Sequence, residues 1–302
     1  LAHMAEGEFM SREKKNSLQL AYSRGSEKLE RAGVPAPRID AWYLLEYVTG
    51  IGRAAYYAYP DREMDDAQWK EYERCIDTRC RRVPLQHITG EQEFMGLCFH
   101  VNGDVLIPRQ DTEILVETAL DVLKSEKKPC SIGDQSVRLL DMCTGSGCIL
   151  LSVLHYYEGK TEGTGSDISA RALKVARKNA DSLGIEADFV ESDLFENISG
   201  KFFMILSNPP YIRSGEISQL QEEVRLYDPM EALDGKEDGL YFYRRIIEDS
   251  IHYLEKGGYL ILEIGCDQAE DVSGLMKEQG IEDIDVKKDL AGLDRVVYGR
   301  YY

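Results

Sequence analysis

Val137-Arg138-Leu139-Leu140-Asp141-Met142-Cys143-Thr144-Gly145-Ser146-Gly147-Cys148-Ile149 decides the fold of this chain. An apolar strand, an acidic residue, a loop of small residues and an apolar helix follow in immediate succession, which is the first βα turn of a nucleotide-binding fold. The glycines let main-chain N–H groups approach a ligand. The loop departs from G-x-G-x-x-G, so it cradles pyrophosphate poorly, and Asp141 beside it repels phosphate and attracts a cation. About twenty residues past the loop, Thr164-Gly165-Ser166-Asp167 ends a second short strand, where a carboxylate is positioned for both hydroxyls of a ribose. Asp188–Ser192 reads as a third strand, with Asp193-Leu194 at its end, where an adenine would lie. A nucleoside without phosphates and with a positive centre is S-adenosylmethionine.

A fourth strand, in Met204–Ile212 (MILSNPPYI), stops abruptly at Asn208-Pro209-Pro210-Tyr211. Each proline pushes the residue before it into extended backbone and has its own φ fixed by the ring, so the segment is a stiff arm. Neither proline has an N–H. The main chain therefore offers bare carbonyl acceptors, and Asn208 adds a side-chain carbonyl that can point the same way. Two convergent acceptors suit an NH2 group, and Tyr211 is placed to stack on the planar group that carries it. Taken alone, Asn-Pro-Pro is a turn after a strand; the strand-end carboxylates and the glycine loop make it part of a site.

Downstream, 213–236 is polar and poor in pattern and reads as a loop bordering the site. Asp238–Glu255 reads as a helix ended by Gly257-Gly258, Tyr259–Ile264 as a buried strand, and Ile281–Val286 with Arg295–Tyr301 as a closing strand pair. Alternating strands and helices, with Ala170–Leu183 among the latter, predict a mainly parallel sheet with an antiparallel terminal strand.

Upstream, 17–82 has helical periodicity. Leu18, Leu20, Ala21 and Leu29 run to a stop at Gly33-Val34-Pro35, and Pro37 opens a second helix carrying Ile39, Trp42, Leu45 and Val48 up to Gly50. A third follows Asp65-Asp66 with Trp69, Tyr72 and Ile76 on one face. Between Pro84 and Pro108 the period changes to two: Leu97, Phe99 and Val101, then Asn102-Gly103, then Val105 and Ile107, predict a hairpin. Arg109 beside Pro108 either orients a carboxylate or substrate, or makes a structural ion pair. Asp111 or Thr112 is a candidate cap for the helix after it. The expected division is a helical substrate-recognition domain over 10–83, a β-hairpin linker over 84–107 and the nucleotide-binding domain over 108–302.

The chain has 302 residues, 43% of them hydrophobic, and a net charge of −18. That balance advertises no basic patch for phosphate, so direct nucleic-acid binding is not expected. Seven scattered cysteines, none spaced CxxC, predict reduced thiols in a cytoplasm and no zinc or other metal site. No apolar stretch approaches the roughly 20 residues of a membrane span, and no signal peptide precedes the fold. Leu1-Ala2-His3-Met4 and the residues up to Phe9 read as a cloning remnant, with Met10 as the native start.

DMCTGSGCI and SNPPYI, joined by PLQHITGEQEFMGLCFHVNGDVLIPRQDTEILVE, resemble the protein-(glutamine-N5) methyltransferases that modify peptide chain release factors. The likeness extends through RIDAWYLLEYVTG to RVVYGRY near the C-terminus. It implies a Rossmann-like S-adenosylmethionine methyltransferase domain, with methyl transfer to the glutamine of a Gly-Gly-Gln loop and S-adenosylhomocysteine as product. It implies that Cys143, Thr144, Gly145, Ser146, Gly147 and Asp167 hold the cofactor, that Leu194 lines the adenine pocket, and that Asn208, Pro209, Pro210 and Tyr211 hold the glutamine. Asp141, Asp193 and Asn208 complete the expected cofactor set. The family commonly has glycine where Cys143 stands and an aromatic where Leu194 stands, which implies weaker cofactor stacking here. Asn-Pro-Pro-Tyr is shared with adenine-N6 and cytosine-N4 DNA methyltransferases. An N-methyltransferase of a nucleobase amine, disfavoured by the acidic charge, and a cofactor-binding adaptor without catalysis are therefore the alternatives.

Overall fold

The computed structural model describes residues 16–125 and 136–302; the expected remnant at 1–9 and start at Met10 lie outside the described residues. The chain divides into two compact units between Thr89 and Gly90.

In the first unit, α1 (Leu18–Arg31) starts where the Ser17 hydroxyl accepts the Leu20 N–H. Helix α2 (Pro37–Thr49) opens on its proline and closes at Gly50, whose φ of 67° is left-handed. A short α3 (Arg53–Ala58) precedes α4 (Asp66–Cys80), which begins in a reciprocal Asp65–Gln68 capping box worth about 1 kcal/mol. A single further turn, α5 (Leu85–Thr89), ends the unit. Leu18, Leu29, Leu44, Leu45, Tyr72 and Ile76 form its core. A buried Arg79 Nε to Asp40 Oδ2 pair at 2.7 Å ties α4 to α2. Trp42 meets Tyr22 and Tyr56 edge-on, at centroid separations of 6.3 and 5.2 Å. The Arg53 and Arg24 guanidinium groups lie over the Trp42 and Trp69 rings.

The second unit opens with a hairpin of β1 (Glu91–Phe94) and β2 (Leu97–His100), turned by Met95 and Gly96 at φ 51° and 71°. This corrects the expected pairing. Leu97 and Phe99 do lie on a strand, but their partner precedes them, and Asn102-Gly103 is a separate turn in which Asn102 Oδ1 accepts the Asp104 N–H at 2.9 Å. The hairpin packs into the core of this unit through Phe94 and Phe99. Asp111 and Thr112 form a 3₁₀ turn (Gln110–Thr112) ahead of α6 (Glu113–Ser125). There follow β3 (Val137–Met142), α7 (Cys148–Tyr156), β4 (Thr161–Asp167), α8 (Ala170–Leu183), β5 (Asp188–Glu191) and β6 (Phe202–Ser207). The stretch 213–236 is no plain loop: it holds a 3₁₀ turn (Ser214–Gln219), α9 (Glu222–Tyr227) and α10 (Met230–Leu233). Then come α11 (Tyr241–Ser250), β7 (Leu254–Glu263), α12 (Ala269–Glu278), β8 (Ile281–Lys288) and β9 (Asp294–Tyr301). Helix α11 is shorter than its pattern predicts because Gly257 and Gly258 belong to β7. A Cβ at Gly258 would stand 2.7 Å from the Phe203 carbonyl oxygen, so glycine is needed there for strand approach rather than for a helix stop.

Among the described residues, seven strands form one sheet in the order β5-β4-β3-β6-β7-β9-β8. Strands β5, β4, β3, β6 and β7 are mutually parallel, and β9 is antiparallel to both its neighbours, as predicted for the terminal pair. Successive residues go to opposite faces. Leu139, Met204 and Ile261 pack with Leu115 and Leu150, while Leu140, Ile205 and Leu260 pack with Tyr243 and Val272. Burial on both faces explains why these strands read as continuous apolar runs. The chain leaves β3 for β4 on one side and reaches β6 on the other, so a crevice opens beyond the carboxyl ends of β3 and β6.

Candidate active site

The crevice is a cavity of about 300 Å³, at the lower end of the range for small-molecule sites. Cys143, Thr144, Gly145, Ser146, Asp167, Asp193, Leu194, Asn208 and Pro210 line it; Asp141, Gly147, Pro209 and Tyr211 do not. Three of these, Asp141, Gly147 and Tyr211, have identifiable jobs behind the wall.

The β3–α7 loop is shaped by left-handed backbone at Cys143 (φ 60°), Gly145 (φ 53°) and Gly147 (φ 80°). Gly147 caps α7, and a Cβ there would meet Leu151 Cδ1 at 3.2 Å and Ala176 Cβ at 3.3 Å, so this glycine serves close packing of α7 on α8. Asp141 is fully buried beneath the loop and accepts the Thr144 hydroxyl at 2.6 Å. Burial pushes its carboxyl up to about 7. It braces the loop from below. Asn179 of α8, wholly buried, braces it from the side by donating to the Ser146 carbonyl at 2.9 Å while exchanging hydrogen bonds with the His100 main chain at 2.7 and 3.1 Å. The Cys143 and Cys148 thiols are pushed up by burial, the second to about 12, so neither is a nucleophile.

At the end of β4, Asp167 receives the N–H of Gly145 on Oδ2 and that of Ser169 on Oδ1, each at 2.9 Å. Both oxygens keep a lone pair, and burial raises the carboxyl while these bonds oppose the shift. The next residue, Ile168, lines the cavity with 62% of its surface exposed, a second apolar wall that the reading of the strand end missed. Its signal was a branched aliphatic directly after the acidic residue. Leu194 sits opposite at φ 49°, with its carbonyl held by the Ser192 hydroxyl at 2.7 Å. Asp193 pairs with Arg245 at 3.0 Å.

Three cationic side chains line the cavity, and each is neutralised locally. Arg109 meets Asp228 at 2.5 Å, Arg171 meets Asp104 at 3.2 Å and Lys236 meets Asp234 at 3.1 Å. Arg109 thus makes the ion pair that was one of its two expected roles. The acidic Asp167 and Glu231 give the space a negative balance. An open loop with an upturned Gly145, a strand-end carboxylate, apolar walls at Ile168 and Leu194 and a negative field fit a cationic nucleoside and oppose a phosphate.

On the other wall, the Ser207 hydroxyl donates to the Met142 carbonyl at 2.7 Å and joins the ends of β6 and β3. Asn208 Nδ2 points at the Thr112 hydroxyl at 3.4 Å, which leaves the side-chain carbonyl for the cavity. Pro209 and Pro210 are buried. Tyr211 turns its hydroxyl inward to Glu263 Oε1 at 3.4 Å, and its carbonyl accepts from Gln268 at 3.1 Å. The arm then docks on α10, with Ile212 N–H to the Leu233 carbonyl at 3.0 Å and Gly235 N–H to the Ile212 carbonyl at 2.8 Å. Thr112 was missed as a site residue because its place depends on tertiary approach, whereas 213–236 does border the cavity, through Pro229, Glu231, Ala232, Asp234 and Lys236.

Known proteins resemble this chain over most of its length. A family model described as the PrmC N-terminal domain matches residues 21–90, and one described as the methyltransferase small domain matches 116–225. The release factor glutamine methyltransferase of Agrobacterium fabrum is 40% identical over 273 residues, 90% of this chain and 93% of that protein. The protein of the same name from Clostridium acetobutylicum is 41% identical over 265 residues, 85% and 89% of the two chains. Among solved structures, the hMettl16 catalytic domain in complex with a MAT2A 3'UTR hairpin shares the fold at TM-score 0.53 and 14% identity, over 79% of this chain and 82% of its own. The family model and these relatives define an S-adenosylmethionine-dependent methyltransferase. The chain belongs to the release factor glutamine methyltransferase family. No helix among the described residues is long and apolar enough to cross a membrane.

Proposed function

We propose that this chain methylates the side-chain amide nitrogen (N5) of the glutamine in the Gly-Gly-Gln motif of peptide chain release factors, with S-adenosylhomocysteine as product. It works in the cytoplasm, where translation terminates. The observation that carries this reading is Asn208: its amide donor is turned to Thr112, so the group it offers the cavity is an acceptor.

An amide nitrogen is a weak nucleophile because its lone pair is delocalised, and its proton is too weakly acidic for a side-chain base to remove first. The protein therefore works by orientation. In this reading the Asn208 side-chain carbonyl, and the Pro209 carbonyl between the two lining residues Asn208 and Pro210, would accept the two N–H bonds of the glutamine amide, aim its lone pair and favour the positive charge that grows on nitrogen. As the N–C bond forms the methyl–sulfur bond breaks, and the surplus proton on nitrogen passes to solvent. Bound against Asp167, Ile168 and Leu194, S-adenosylmethionine supplies an electrophilic sulfonium methyl group. Orientation of this kind contributes roughly 7–11 kcal/mol in well-aligned systems, and preorganised acceptors add to it. No metal is required by this route. In the same reading the helical unit recognises the protein substrate.

The test is transfer of labelled methyl to a release factor, to the same factor with the glutamine of Gly-Gly-Gln changed to alanine, and to nucleic acid. Labelling of the intact factor alone is expected. Labelling of the nucleic acid, or of the altered factor to the same extent, overturns the reading.

A further inference from the structure

We propose that Gln268 is a positioning residue for methyl transfer: its side-chain amide pins the Tyr211 carbonyl and so fixes the far end of the arm that carries the Asn208 acceptor. The inference rests on the reading that Asn208 presents its carbonyl to the substrate amide.

Gln268 stands between β7 and α12 and is 2% exposed, a buried amide outside the cavity lining. Its Oε1 accepts the Gly265 N–H at 2.9 Å, with the Tyr243 hydroxyl as a second donor at 3.4 Å. A main-chain N–H can only donate, so the amide has one orientation. Nε2 therefore faces the other way, where it donates to the Tyr211 carbonyl at 3.1 Å and to the Gly239 carbonyl at 3.3 Å. Two glycines leave room for this approach. A Cβ at Gly239 would stand 2.5 Å from the Tyr211 carbonyl oxygen and 2.7 Å from Gln268 Nε2, and one at Gly235 would stand 2.7 Å from the Tyr211 Cα.

Stiffness carries this pin to the site. Pro209 and Pro210 have φ fixed by their rings, so the arm turns nearly as a piece, and a change of direction at Tyr211 reaches Asn208. The near end is held where the Ser207 hydroxyl donates to the Met142 carbonyl at 2.7 Å. Beyond Tyr211, Ile212 and Ser214 pair with 233–236, the latter through its N–H to the Lys236 carbonyl at 2.9 Å. That pairing alone would let the arm and α10 shift together. Gln268 instead ties the Tyr211 main chain to the corner between β7 and α12, and through it to the sheet that also holds the near end.

Single-turnover methyl transfer at saturating cofactor tests this in the full chain, with cofactor affinity measured alongside. Gln268→Met removes the amide at nearly constant length and is expected to slow transfer roughly 10- to 100-fold, with cofactor affinity within about twofold of the parent, as for a misaligned reacting group. Gly239→Ala displaces the Tyr211 carbonyl from the other side and is expected to act likewise. In an Asn208→Ala background, Gln268→Met is expected to slow transfer less than about threefold, because the acceptor it directs is gone. A merely structural role would cost the same factor in both backgrounds. Transfer by Gln268→Met at the parental rate, or the full loss persisting in the Asn208→Ala background, overturns the proposal; if Gln268→Met does not fold, Gly239→Ala is read in its place by the same outcomes. An Asn208→Ala variant that transfers at the parental rate would instead overturn the acceptor reading itself.

Discussion

Asn208 and Asp167 are the residues on which the two halves of the site turn, and each supports a separable expectation. Asn208→Ala removes one of two preorganised acceptors, so transfer should fall roughly 10²–10³-fold in single turnover while cofactor affinity and thermal midpoint hold. Asn208→Asp keeps an acceptor but loses the N–H that meets Thr112, and partial activity is expected. Asp167→Ala should weaken cofactor binding by about 1–3 kcal/mol, the range for hydrogen bonds to a charged group, and calorimetry gives that number directly. An unchanged affinity would remove Asp167 from the ribose contact. At this scale the sequence was informative about types and silent about directions. That an asparagine precedes two prolines was plain; that its amide nitrogen turns to Thr112, 96 positions earlier, depends on the fold bringing β6 and the 3₁₀ turn together. Asp141 shows the same limit. Its place beside the glycine loop was legible, but whether the carboxylate points into the crevice or beneath the loop is set by the Thr144 hydroxyl.

The elements that could be read had both ends marked. Helix α8 has Ser169 accepting the Ala172 N–H at its start and left-handed Gly184 at its close, and it was legible end to end. The hairpin was not, because its turn uses Met95 in a left-handed conformation while Asn102-Gly103 carries the usual turn signature without pairing strands. In 213–236 the helices are one or two turns long, too short for an apolar period to repeat. Element packing makes its own prediction at Asn179, which joins α8 to both the glycine loop and β2. Asn179→Ala takes this partner from the buried Ser146 carbonyl and from the half-buried His100 N–H and carbonyl, and should cost about 1–3 kcal/mol for the buried group, with less for the other two. Chemical denaturation should show the midpoint falling, together with weaker cofactor binding as the loop loosens. A midpoint shift without any change in affinity would mean the loop keeps its shape unaided.

For the whole molecule, the buried acids set how stability follows pH. Asp141 and Glu263 are raised to about 7 and Asp228 to about 6, chiefly by burial, so each holds its proton more tightly folded than unfolded. Stability from these groups is complete below the ordinary carboxylate range, near pH 4, and is lost as pH rises through about 6–7. The net charge of −18 adds self-repulsion in the same direction. The thermal midpoint should therefore fall between about pH 5.5 and 8.5, and a rise over that interval would contradict the assignment. A second expectation concerns the division of labour: a chain beginning at Gly90 should still bind cofactor and should lose methylation of the intact release factor. Full activity would reduce the helical unit to a packing element. Telling the two units apart in such experiments is made simple by where the indoles lie. The chain has two tryptophans, Trp42 in the aromatic cluster and Trp69 under Arg24, and both are in the helical unit. Emission excited at the red edge, beyond tyrosine absorption, is thus a private signal of that unit. If the units melt separately, its transition will part from that seen by circular dichroism, and the methyltransferase unit will unfold in the dark.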